Sequence, residues 1–368
     1  MGFTDAIPFA FRDVGAWSPQ TRITMRLPRL LAILCLATAS VTAVPAQTLK
    51  LLVWEEYLDP SVLKAFTKET GIKVVEDNFD DNEGLMAKTG TGKSGYDIVS
   101  PSDYAVQIMV RRKLLAELDH AALKNLKNLS PDFTDLYYNR GQKFAVPYTW
   151  GTSGLAYNKK KVKNPPASWA DMFEVEKLQP LKGRISILDD AREVAATALL
   201  ALGLDPNTGK PGDLEKAAVL LRRQKPFLAK YDSASAEDSL ASGETWLAQG
   251  FSGDIATAQA ENPDIAYILP KEGVSFFIDN LCILQESKNK AAAHALLDYL
   301  MRPEVALVSM NAMKFASTNK AINPEEIDES LRGSAALMLP AREKRVLFMD
   351  PGQEMGDAFE ALFNDLKN

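Results

Sequence analysis

From Gln47 onward the chain alternates short runs of β-type residues with stretches of helical periodicity, which restricts it to folds where helices cover a largely parallel sheet. The strand-like runs cover residues 49–54, 72–76 and 97–100. Between them lie a helix over 60–70 and another reaching Lys88. Longer amphipathic helices are expected over 214–230 and 290–310, the second interrupted at Arg302-Pro303, where proline ends one helix and opens the next. Residues 357–366 form a closing helix with Phe359, Leu362, Phe363 and Leu366 on one face. A chain of 368 residues suits two domains. No repeat, low-complexity tract or flexible linker separates them, so lobes joined by crossing strands are expected. The candidate crossings are 145–153 and 274–284.

The first 46 residues read differently. Met25-Arg26 and Arg29 precede an apolar run from Leu30 to Leu36, which drifts into small residues ending Ala43-Val44-Pro45-Ala46. That is the layout of a secretory signal cleaved near Ala46, and Met25 would be a natural start for it. A membrane anchor would need about 20 apolar residues. Cys35 lies inside the apolar run behind Leu34, so lipidation is not expected. Cys282 is then the one cysteine left, and no intramolecular disulfide can form in an oxidising compartment. Without the leader the chain keeps 38 basic and 46 acidic residues, a net charge of about −8. That balance argues against nucleic acid as a partner and suits a cationic ligand.

Enzyme constellations are missing from the sequence. His120 and His294 stand on separate helix-like segments, so no HExxH motif or histidine-rich metal cluster forms, and neither metal nor other cofactor is implied. Gly92-Lys93-Ser94 resembles the end of a phosphate-binding loop, but the glycine required five positions earlier is Ala87. No G-x-S-x-G elbow is present, and Cys282 falls in a strand with no histidine nearby. No residue is a candidate for catalysis.

What remains is a set of acids and aromatic residues where strands give way to loops, the edge at which α/β sheets bind ligands. Trp54-Glu55-Glu56-Tyr57 follows the first strand, either as rings over a core with acids in solvent or as a binding edge. Ser102-Asp103-Tyr104 follows the 97–100 run and also fits a helix cap. Asp190 and Glu193, after a strand over 184–188, fit a capping box, with both carboxylates at the sheet edge. Phe251-Ser252-Gly253-Asp254 reads as a turn ending a strand over 245–251. Asp279 sits inside the apolar run Ser275-Phe276-Phe277-Ile278, where an unpaired charge costs several kcal/mol, so it requires a cation from a ligand or from an internal Arg or Lys. Phe315 is most simply a core aromatic.

Taken together, these segments resemble the spermidine/putrescine-binding proteins of polyamine ABC transporters, from about Leu49 to the C-terminus. The resemblance rests on Trp54-Glu55-Glu56-Tyr57, Phe66-Thr67-Lys68-Glu69-Thr70-Gly71-Ile72-Lys73-Val74, Pro101-Ser102-Asp103-Tyr104, Val146-Pro147-Tyr148-Thr149-Trp150-Gly151, residues 189–194 and Pro270-Lys271-Glu272-Gly273, in matching order and spacing. It implies an α/β, two-lobed periplasmic binding protein fold of type II form, with a ligand cleft between the lobes. Residues 47–152 plus 277–324 would form the first lobe and 153–276 plus 325–368 the second, after an extension and signal peptide over 1–46. Trp54, Glu56, Tyr57, Ser102 and Tyr104 would line the cleft from the first lobe, faced by Asp190 and Glu193. Asp279 matches the family's ammonium anchor, Asp254 an acid of putrescine-type members, and Phe251, Phe277 and Phe315 its aromatic walls. Phe251 and Phe277 replace tryptophans of the spermidine-type members, and Phe348-Met349-Asp350 replaces a polar residue contributed near the C-terminus.

The function so implied is that of a periplasmic, non-enzymatic receptor. It would capture a polyamine and deliver it to an ABC permease, as a monomer free to close. A different cationic amine, such as agmatine or an amine derived from an amino acid, is the alternative ligand. A glycosidase-like enzyme using two of the acids and a chemotactic sensor using the same cleft are rival readings.

Overall fold

The computed structural model describes residues 47–368, so the leader expected before Gln47 lies outside the described residues. β1 (Thr48–Trp54) leads into α1 (Pro60–Thr70), whose limits follow from its own residues. Asp59 accepts from the Ser61 N–H, Pro60 occupies the first turn, and Gly71 at φ 75° ends the helix in the left-handed region. β2 (Lys73–Phe79), α2 (Asn82–Thr89), β3 (Ile98–Val99) and α3 (Asp103–Arg111) follow. β1 pairs in parallel with both β2 and β3.

β4 (Ala145–Asn158) outruns the crossing expected over 145–153. After it come α4 (Val175–Leu178), β5 (Ile185–Ile187), α5 (Ala191–Ala201), α6 (Pro211–Gln224), β6 (Leu228–Tyr231), α7 (Ala236–Ser242), β7 (Leu247–Phe251), α8 (Ser252–Glu261) and β8 (Ile265–Ile268). The helix expected over 214–230 stops at Gln224. Pro226 offers no N–H to continue it, and residues 228–231 instead pair with β5. The turn expected at Phe251-Ser252-Gly253-Asp254 is the first turn of α8.

β9 (Val274–Ile283) returns antiparallel along β4, followed by α9 (Lys290–Leu300), α10 (Pro303–Met313), β10 (Ala316–Ser317), β11 (Arg345–Val346) and α11 (Gly352–Lys367). The described strands make one sheet in the order β2-β1-β3-β9-β4-β7-β5-β6, with β8 and β10 on β4 and β11 on β9. Its two flanks are parallel, and the antiparallel β4–β9 pair joins them.

Apolar packing separates along the same line. Leu49, Phe66, Val106, Trp150, Ile278 and Leu297 belong to one core. Leu155, Trp169, Ile187, Leu199, Leu221 and Phe359 belong to a second, and Ile255, Tyr267, Leu331 and Ala336 to a smaller third. β4 passes from the first core at Trp150 to the second at Leu155. Each fully buried side chain of this kind contributes about 1.5–3 kcal/mol, so each flank has its own source of stability.

Residues 347–350 strap the two flanks together. Tyr137 donates to the Phe348 carbonyl, the Asp350 N–H donates to Gln107 Oε1 at 3.0 Å, and the Asp350 carboxylate pairs with Arg111. From the other flank, Asn207 Oδ1 accepts from the Met349 N–H at 2.8 Å, its amide donates to the Leu347 carbonyl at 2.9 Å, and Arg192 donates to the Met349 carbonyl at 3.3 Å.

Candidate functional site

Asp279 lies on β9 opposite Thr149, beside a register shift in β4 between Pro147 and Thr149. Its residue is 4% exposed. Tyr57 donates its hydroxyl to one carboxylate oxygen and Ser102 donates to the other at 2.6 Å. Asn82 fixes Ser102 in turn, accepting from its N–H at 3.0 Å and donating to its hydroxyl at 3.2 Å. The Trp54 indole N–H is buried without a hydrogen-bond partner, and its influence falls on the same carboxylate. Burial raises Asp279 to about 6 against the pull of these donors, and no lysine or arginine acts on it. The internal Arg or Lys partner weighed from sequence is therefore not what holds this charge. Ser102 sits at the N-cap position of α3 but makes no capping bond, because Asp279 takes its hydroxyl.

Aromatic rings adjoin this carboxylate. Phe277 packs edge-on against Phe251 at 5.5 Å and against Phe315 at 6.0 Å, and Phe315 lies 6.4 Å from Tyr57 between ring centroids. Two glycines make room for them. A Cβ on Gly151 would run into the Phe277 ring that faces it across β4–β9, and one on Gly253 would meet the Phe315 ring. Phe315 is thus half-buried in an aromatic cluster beside Tyr57.

Asp254, in the first turn of α8, is raised to about 8 by burial and then by the charges of Glu237 and Glu56. Glu56 stands exposed in the loop after β1, where its backbone takes φ 56°, a left-handed conformation uncommon for a non-glycine residue. Glu237, in the first turn of α7, is also raised by burial, with Glu56 among the charges acting on it, and its Oε2 atom is buried without a partner.

A further set of charges centres on α5. Asp190 caps the helix, accepting from the Glu193 N–H at 2.8 Å, but Glu193 turns away from the reciprocal bond and accepts from Ser275 Oγ at 2.6 Å. Burial raises both, and the Asp190 charge adds to the effect on Glu193. Tyr104 donates to Glu83 Oε1 at 3.2 Å. Between them Arg192 lies 4.8 Å from the Phe359 ring, 4.7 Å from Phe348 and 5.9 Å from Tyr104, where burial lowers its pKa. Asp103, 1% exposed, is raised well above the usual carboxylate range by burial, within the influence of Asp279, Arg192 and Glu193.

The twelve residues singled out from sequence lie in these groups, after β1, β3 and β5, at the end of β7 and the start of α8, along β9 and just before β10. Sequence reasoning gave no sign that the charges acting on Asp254 are those of Glu237 and Glu56. It missed Glu237, Glu83, Asn82 and Arg192. An acid in a helical first turn gives no sign of which way it faces, and Arg192 was legible only as a neighbour of two acids. Chemically, Asp279 and Asp254 offer carboxylates without basic partners beside a phenyl surface, while Arg192 attends Asp190, Glu193 and Asp103. Both histidines are engaged elsewhere, His294 with the Asp119 N–H and His120 with the Gln142 carbonyl. No group of His, Cys, Asp and Glu suited to a metal ion occurs among the described residues.

Residues 61–330 match the family model described as bacterial extracellular solute-binding protein. The chain is 37% identical over 298 residues to the spermidine/putrescine-binding periplasmic protein 1 of Haemophilus influenzae, covering 79% of this chain and 82% of that one. It is 34% identical over 328 residues to the putrescine/agmatine-binding protein of Pseudomonas aeruginosa, covering 85% and 89%. Among solved structures, the spermidine/putrescine ABC transporter substrate-binding protein PotD of Streptococcus pneumoniae superposes with a TM-score of 0.76 at 28% identity, covering 87% of this chain and 98% of that one.

Proposed function

Because the chain belongs to the bacterial extracellular solute-binding protein family, we propose that it is the receptor of an ABC uptake system that captures a linear polyamine of the putrescine or spermidine class. It delivers that ligand to a membrane permease and catalyses no reaction. It works in the periplasm as a monomer after cleavage near Ala46. No helix among the described residues is long and apolar enough to cross a membrane. Residues 47–152 with 277–324 form one lobe and 153–276 with 325–368 the other, and the ligand lies between them.

Asp279 carries this reading. It is a buried strand carboxylate met by two hydroxyls and by no internal cation, beside a phenyl surface. A polyamine supplies what is missing, ammonium groups separated by methylenes. Each ammonium offers three donors, and a hydrogen bond to a charged group contributes about 1.5–3 kcal/mol net. A ring face adds about 0.5–2 kcal/mol. Two anchored ends reach the roughly −8 kcal/mol of a micromolar complex after association costs. A ligand that touches both lobes binds the closed form better and shifts the open–closed equilibrium toward it.

The direct test is a thermal-shift series of the purified protein with putrescine, cadaverine, agmatine, spermidine, spermine and amino acids. A rise in melting temperature confined to the amines supports the assignment, and no response to any amine removes it.

A further inference from the structure

Asn82 opens α2, yet another residue caps that helix. Asp81 carries the cap, accepting from the Gly84 N–H at 2.6 Å. The Asn82 amide reaches instead to the start of α3, 20 positions on, where it meets Ser102 twice. One end of the amide lies 3.0 Å from the Ser102 backbone nitrogen and the other 3.2 Å from the Ser102 hydroxyl oxygen. These two contacts settle which end is which. A backbone N–H can only donate, so the atom facing it is the amide oxygen, and the atom facing the hydroxyl is the NH2 group, which also can only donate. Ser102 Oγ therefore accepts from Asn82. The single proton of that hydroxyl is left for Asp279 Oδ1, 2.6 Å away. Asn82, Ser102 and Asp279 are all buried, so water does not compete for these bonds.

We propose that Asn82 is a positioning residue of this site: its amide orients the Ser102 hydroxyl so that the proton points at Asp279 and not toward an incoming amine. This rests on the reading of Asp279 as the ammonium anchor and adds what keeps that anchor ready. A free serine hydroxyl turns about its Cβ–Oγ bond and offers a proton or a lone pair as its neighbour requires. With Asn82 donating to it, the hydroxyl is a fixed donor. Asp279 thus receives one hydroxyl on each oxygen, Ser102 on Oδ1 and Tyr57 on Oδ2. Those two bonds favour the ionised carboxylate and leave a lone pair on each oxygen for an ammonium. Each link also polarises the next, so the Ser102 bond to Asp279 is stronger with Asn82 behind it than without. Ser102 stands where a serine ordinarily caps its own helix, and with Asn82 holding both its N–H and its hydroxyl it makes no such bond.

The test is a double-mutant cycle on the purified protein, read by calorimetric titration with putrescine and with spermidine. Asn82→Ala should weaken whichever of these amines the wild-type protein binds by about tenfold, and Ser102→Ala should do at least as much. In the Ser102→Ala background, Asn82→Ala should cost less than about twofold more, because the hydroxyl that it orients is gone. A residue that only packed α2 against α3 would weaken both backgrounds alike, so equal losses overturn the inference. Full-strength binding by Asn82→Ala or by Ser102→Ala overturns it too, and all these outcomes leave the polyamine reading intact. Ligand-free melts establish that each variant is folded at the titration temperature. Asn82→Leu, which keeps the branched outline of the side chain and lacks its polar atoms, serves if the alanine variant melts early. Binding of neither amine by the wild-type protein overturns both the polyamine reading and this inference.

Discussion

The Tyr57 hydroxyl donates to the Asp279 carboxylate across 222 positions of sequence, tying the loop after the first strand to the strand that returns through the middle of the sheet. Burial and the neighbouring carboxylate raise the phenol well above its usual range, so it stays a donor at any physiological pH. Tyr57 and Ser102 together supply only two hydroxyl donors to a full negative charge.

Replacing Asp279 with alanine should therefore weaken polyamine binding by at least about a hundredfold, in line with the roughly 2–5 kcal/mol lost when one member of a buried charge pair is truncated. The ligand-free melting temperature should not fall in proportion, because the substitution also removes a desolvated carboxylate. Calorimetric titration alongside a ligand-free melt checks both halves, and unchanged affinity would remove Asp279 from the site.

The titration behaviour of the acids gives a second expectation. Asp254 is raised to about 8 and Asp279 to about 6, so at neutral pH the empty site holds protons that an arriving cation displaces. Affinity should increase as pH rises from about 6 to above 8, with protons released on binding. Titrations in buffers of different ionisation enthalpy would show that release directly. Ligand-free stability should move the other way. A carboxyl group with a higher pKa folded than unfolded binds more protons in the native state, so its contribution is full below about 4 and is lost as pH rises through 6 and 8. A ligand-free melting temperature that climbs over this range would contradict the assignment.

Gly151 offers a test of the wall alone. A methyl group there collides with the Phe277 ring, and such overpacking costs about 1–3 kcal/mol. Gly151→Ala should displace Phe277 and weaken polyamine binding about tenfold without altering any acid. Ligand affinity and the pH dependence of binding, measured together, separate this from a loss of charge: the affinity should drop while the pH profile keeps its shape.

The strap over residues 347–350 predicts a variant remote from the ligand. Arg111 pairs with Asp350, whose side chain is only 8% exposed, and Arg111→Ala leaves that carboxylate without its cation. The joined arrangement of the flanks should loosen, raising the ligand dissociation rate about three- to tenfold with a smaller change in association. Stopped-flow release of a bound polyamine measures it, and an unchanged rate would show that the strap plays no part in holding the closed form.

Much of this architecture was legible because it is written locally. Asp59, Pro60 and Gly71 bracket α1 by rules acting within a few residues, and the strand runs followed their composition. Local rules failed where a distant partner outbid them. Ser102 has the residue type and position of a cap, yet its hydroxyl goes to Asp279, 177 positions away. Glu193 has the spacing of a capping box, yet bonds to Ser275. Glu237 was invisible for a related reason, since acids are ordinary in the first turn of a helix and only the fold brings its charge to bear on Asp254. Pro226 was a signal present in the sequence but given too little weight against the helical periodicity around it.

The three phenylalanines beside Asp279 bear no N–H or O–H. Rings of this kind hold methylenes equally well at any point along a chain and give it no fixed stopping place. Ligand length must then be gauged by the carboxylates alone, like a ruler marked only at its ends. Moving one acid by the length of a single methylene, Glu to Asp, re-marks the ruler and leaves its smooth middle untouched.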